Sequence, residues 1–77
     1  MKKVLLGEDE SILIRNVGVS TPIFAKKDGE LRGMVIYEED MGWILRTGGS
    51  FGSSGHHETR EECLKEDGEL DYEFFIE

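Results

Sequence analysis

Glycines and acidic dipeptides interrupt this chain so regularly that the stretches between them come out at strand length, and that spacing limits its possible folds more than any motif does. Lys2–Leu6 is a short apolar run closed by Gly7-Glu8-Asp9. Ser11–Val17 is rich in β-branched residues and alternates Leu13, Arg15 and Val17 with Ile12, Ile14 and Asn16, which predicts a second strand. Pro22, which lacks an amide donor, ends that pattern. Ile23–Lys27 and Leu31–Glu38 then flank Lys27-Asp28-Gly29-Glu30, whose Asp-Gly pair suits the positive φ angles of a tight hairpin. In the second arm Leu31, Gly33, Val35 and Tyr37 alternate with Arg32, Met34, Ile36 and Glu38, so both faces carry apolar groups and the strand is expected to lie centrally. A turn at Glu39–Gly42 and a strand over Trp43–Thr47 complete a three-stranded meander.

Gly48–Gly55 holds a single large apolar side chain, Phe51, and reads as a loop. His57–Asp67 is made of good helix formers, has acids near its start and stops before Gly68, which predicts one helix with Cys63 and Leu64 as its only apolar side. Leu70–Ile76 alternates Leu70, Tyr72, Phe74 and Ile76 with Asp71, Glu73 and Phe75, the clearest strand pattern in the sequence. The expected architecture is therefore α+β: one domain over residues 1–77, with a mainly antiparallel sheet of five to six strands built around the meander. One helix in the C-terminal half is followed by a final strand that returns to the sheet.

At 77 residues the core will be thin, since a domain of this size buries only about 60% of the surface its unfolded chain exposes. One cysteine excludes an internal disulfide, so association of subunits is the remaining route to added stability. One helix cannot cover a sheet of this size on both sides; with Phe75 set among acids, part of the uncovered face is expected to be buried in a homodimer. No run approaches the roughly 18 apolar residues of a membrane span, and Val4-Leu5-Leu6 is too short for a signal peptide, so the expected location is cytoplasmic. The formal charge of −8 is unevenly spread: residues 1–37 carry six basic and five acidic groups, net +1, and residues 38–77 three basic and twelve acidic, net −9. A strongly acidic half repels polyanions, which argues against direct nucleic-acid binding and fits a basic protein partner.

Three constellations suggest chemistry. Strand, glycine-rich loop and helix start occur in the order that offers free amides and a positive dipole end to an anion, with Arg46, Gly48, Gly49, Ser50, His56 and His57 as the candidate ligand-binding residues. Neither a Walker A sequence nor the dinucleotide glycine fingerprint is matched there. His56, His57, Glu58 and Cys63 are of metal-ligand type, but on a helix His57 shares a face with Glu61 and not with Cys63, so no four-ligand site forms and neither metal nor cofactor is expected. Cys63 sits amid Glu61, Glu62 and Glu66, which raise a thiol's pKa, and is expected to be a buried structural residue. Trp43 is expected in the core. The sequence thus favours a non-catalytic interaction or regulatory module whose acidic helix residues Glu58, Glu61, Glu62 and Glu66 meet a partner. The alternatives are a small-ligand or anion-binding protein, even an enzyme, using the loop, and a DNA mimic, which needs acids spaced regularly along one surface.

Overall fold

A computed structural model describes residues 2–4, 14–48 and 51–77. Its elements are β1 (Lys2–Val4), a 3₁₀ turn (Ile14–Asn16), β2 (Ile23–Lys27), β3 (Glu30–Glu38), β4 (Gly42–Thr47), α1 (Arg60–Gly68) and β5 (Glu73–Ile76). The strands form one antiparallel sheet in the order β1-β5-β2-β3-β4, so the last strand inserts between the first and the hairpin. The α+β architecture with a meander, a late helix and a returning final strand is the one the punctuation of the sequence predicts. Among the described residues the strands number five, and Ile14–Asn16 winds into a 3₁₀ turn instead of continuing a strand. Leu5, Leu6 and Ser11–Leu13, the remainder of the two expected N-terminal strands, lie outside the described residues.

The hairpin turn is as expected: Asp28 and Gly29 both adopt positive φ, 56° and 77°, the backbone twist that matches two antiparallel arms. Between Ala25 and Lys26 the register of β2 on β3 slips, with Ala25 opposite Gly33 and Lys26 opposite Leu31, leaving Arg32 as an extra residue. The bulge reverses the alternation read from the sequence, moving Leu31 from the side of Val35 to the side of Lys26, where it is exposed. At the next turn Gly42 has φ 107°, and a Cβ there would lie 2.4 Å from the carbonyl oxygen of His57, so the close approach of residue 57 to β4 requires glycine.

The helix starts at Arg60, three residues later than composition suggested, because Thr59 takes the N-cap position and its hydroxyl accepts from the amide of Glu62. It also includes Gly68; the chain reverses beyond it, where Asp71 adopts φ 71° after the amides of Leu70 and Tyr72 have bonded the carbonyl of Asp67. The face turned to the sheet carries Arg60, Cys63, Leu64 and Asp67, all buried at helical spacing. Two of those four are charged, which hides the stripe from any search for apolar residues. Arg60 donates to the carbonyls of Ile14, Val17 and Gly18 and lies over Trp43, binding the 3₁₀ turn to the helix. The core between helix and sheet consists of Val4, Ile23, Ala25, Val35, Leu45 and Phe74 from the strands, with Ile14, Val17, Cys63, Leu64 and Tyr72 closing over them. Trp43 and Ile76 pack at its margin, partly buried.

Candidate functional site

Direct cross-strand partners share a face, so the register lays out the side of the sheet that α1 leaves uncovered. One row crosses all five strands: Lys3, Phe75, Phe24, Met34 and Arg46. Beside it lie Glu73, Lys26 and Leu31 on one flank and Ile36, Ile44 and Glu38 on the other. Lys26 Nζ stands 4.9 Å over the Phe75 ring, and Lys3 Nζ bonds Glu73 at 2.7 Å. The Lys3 hydrogen bond, reinforced by its charge, holds the Glu73 carboxyl below the usual carboxylate range.

On the far flank two of the residues predicted to bind a ligand come together on a third that sequence reasoning missed. Glu38 Oε2 accepts from Nε and Nη2 of Arg46, at 3.0 and 2.5 Å, while His56 Nε2 lies 2.5 Å from Glu38 Oε1. The His56 bond first and the Arg46 bond next keep the Glu38 carboxyl below its ordinary value. Ile44 lies between Glu38 and Arg46 in register and is only 7% exposed although it is outside the main core, as expected if these polar groups roof it over. The signal for Glu38 was its register: it faces the same side as Arg46, four residues from Met34 along β3.

His57 is separated from this cluster by the pairing of its own backbone. Trp43 and His57 exchange two hydrogen bonds, 2.7 and 2.8 Å, as an isolated antiparallel bridge, so His56 and His57 project to opposite sides of the extended sheet. His57 Nε2 lies 2.8 Å from Ser54 Oγ, a nucleophile-and-base spacing; among the described residues no carboxylate bonds the other ring nitrogen, so the third member that would orient a base is missing.

The glycine-rich loop, from Phe51 onward, is fastened at several points. Thr47 Oγ1 donates to the Phe51 carbonyl, Tyr72 Oη to the Gly52 carbonyl, and the Ser54 amide to Asp67 Oδ1; the Arg32 guanidinium lies 4.1 Å over the Phe51 ring. Gly48 donates its amide to Arg32. Gly49 and Ser50, also predicted to bind ligand, are outside the described residues. Donors that would hold an anion are thus turned to the chain's own carboxylates, Arg46 and His56 to Glu38 and the Ser54 amide to Asp67.

Cys63 is fully buried, and its thiol is pushed up to about 12, by burial above all and then by the hydrogen bond it donates to Asp67, so it stays protonated at neutral pH. Glu58, Glu61, Glu62 and Glu66 are exposed. Among the described residues no group of three or more His, Cys, Asp or Glu side chains is placed to hold a metal ion, and no helix is long and apolar enough to cross a membrane. A cavity of about 160 Å³ lies between Leu64 and Gly68 of α1 and Val4, Tyr72 and Phe74. Comparison with known proteins found no matching family model, no matching curated protein and no matching solved structure.

Proposed function

We propose that this chain is a non-catalytic interaction module whose binding surface is the helix-free face of the sheet. The observation that carries the reading is the row Phe75, Phe24 and Met34 at the centre of that face, two half-buried phenylalanines and an exposed methionine over which no helix or strand of the described residues lies, bordered by charged groups. The alternative, anion binding at Arg46 and His56, is disfavoured by the carboxylate that already occupies both donors. Nucleophilic chemistry at Cys63 is disfavoured by a thiol that is buried and protonated. The exposed acids Glu58, just before α1, and Glu61, Glu62 and Glu66 on it offer a second, purely electrostatic surface suited to a basic partner. A reduced, cytoplasmic setting accords with a free cysteine in the core.

The test compares two variants in capture from native lysate. Met34→Lys places a charge at the centre of the sheet face, and a second variant replaces Glu58, Glu61, Glu62 and Glu66 with Ser. Loss of bound protein in the first and retention in the second is the expected result. Equal recovery by Met34→Lys and wild type, with an untagged copy of the chain itself counted among the proteins recovered, would refute the sheet face as the binding surface.

A further inference from the structure

We propose that the occupant of the helix-free face is a second copy of this chain, seated sheet against sheet about a two-fold axis that lies in the interface. The proposal rests on the reading of that face as a binding surface and adds its partner. Charge decides among the candidates. Lys3, Lys26 and Arg46 face Glu73 and Glu38 there, net +1 with His56 neutral, in a chain of net −8, so the described strand residues of this face are almost neutral while the rest of the molecule carries −9. Two such molecules repel wherever acidic surfaces meet, and the described strand residues of this face offer an approach without that repulsion.

Other occupants fit less well. A basic protein is drawn to the exposed carboxylates of α1 before it reaches a neutral sheet. A single-stranded nucleic acid would find two aromatic rings to stack on, Phe24 and Phe75, but the cations beside them are engaged: Lys3 by Glu73, Arg46 by Glu38, and Lys26 by the Phe75 ring. Each charged group on the face already has a partner within its own molecule, so docking does not require the other chain to supply counter-charges. Such a face can be its own complement, which is what an isologous contact demands.

The size of the face agrees. Five strands about 4.8 Å apart and averaging roughly five residues span about 20 by 18 Å. With side-chain relief that is of the order of the ~600–1,000 Å² that each partner gives to a standard interface. An area at or below the lower end, with two phenylalanines and one methionine as anchors, places the contact among weak, reversible associations. The stacked sheets would pack about 10 Å apart, as in a β-sandwich.

Sedimentation equilibrium from about 10 µM to about 1 mM, at low and at high salt, tests this directly. The expected result is a monomer–dimer equilibrium that tightens with salt, because screening removes repulsion between two chains of charge −8. Met34→Lys should weaken it at least ~10-fold, whereas Glu61→Gln on the helix should leave it in place. Amide shifts of the unmodified protein on dilution should concentrate at Phe24, Met34 and Phe75, a reading that depends on no variant. A chain that stays monomeric to the highest concentration at high salt, or a dimer whose shifts map to α1, overturns the proposal. If the monomeric chain nevertheless loses a lysate partner on Met34→Lys, the second copy is refuted and the binding face is retained; if a dimer forms but Met34→Lys affects neither dimer nor capture, both are refuted.

Discussion

Three charged side chains do structural work that apolar ones do in larger proteins. Arg60 gives its guanidinium to three carbonyls of residues 14–18; those of Ile14 and Gly18 also accept from the amides of Val17 and Thr21, so removing Arg60 strips the Val17 carbonyl of its donor, the expensive way to lose a hydrogen bond, and leaves the other two with one each. Arg60→Met should lower unfolding free energy by about 3 kcal/mol in urea titrations, and Arg60→Lys, with its charge but without the planar fork, should recover only part of that. Asp67 is its counterpart at the other end of the helix face, accepting from the Ser54 amide and the Cys63 thiol. Glu38 acts at the surface and so through pH. Its carboxyl is held below the ordinary glutamate value when folded, so the stability it contributes is fully present above that ordinary value and is lost as pH falls through the folded one. The urea midpoint of the wild type should therefore drop between about pH 5 and pH 3 more steeply than that of Glu38→Gln, and equal slopes would mean that the His56 and Arg46 bonds contribute nothing in solution.

Among the elements, the helix shows how a short segment is defined by its ends. Thr59 caps it and the run Thr59-Arg60-Glu61-Glu62 spells a capping-box pattern, so Thr59→Ala should cost about 1 kcal/mol while Thr59→Ser costs little, measurable as a shift in thermal midpoint. That pattern was available in the sequence and would have corrected the start from His57 to Arg60. The hairpin turn, the meander and the Glu73–Ile76 part of the strand expected over Leu70–Ile76 were legible for a similar reason, since each rests on residues whose backbone preference or two-residue period is local, whereas Leu70 and Asp71 are spent on the turn after the helix. The 3₁₀ turn at Ile14–Asn16 was not: its β-branched composition favours a strand, and the force that bends it, Arg60 reaching across 42 to 46 positions to its carbonyls, is tertiary. The candidate site divides the same way. Arg46 and His56 could be picked out as charged groups near a loop, but their meeting on Glu38 depends on the register of β4 against β3 and on the Trp43–His57 bridge, neither of which composition encodes.

At the largest scale the controlling fact is that, among the described residues, one helix and a five-stranded sheet make a core layer on one side of that sheet. A chain of 77 residues with that arrangement has little stability in reserve, and its second face contributes to burial only if something covers it. If the cover is another copy, association and folding are linked, because the dimer forms only from folded chains. At a total protein concentration about ten times the dissociation constant roughly one fifth of the chain is free monomer, so the linkage adds roughly 1 kcal/mol, which for a domain of this size moves the thermal midpoint by of the order of 5 °C. The midpoint of the wild type should therefore rise with protein concentration in differential scanning calorimetry, and rise more in high salt, where repulsion between acidic surfaces is screened. Met34→Lys should remove the concentration dependence while leaving the dilute-solution midpoint nearly unchanged, because Met34 is 36% exposed and belongs to the helix-free face. A wild-type midpoint independent of concentration up to about 1 mM would show that the second face adds nothing to folding through self-association.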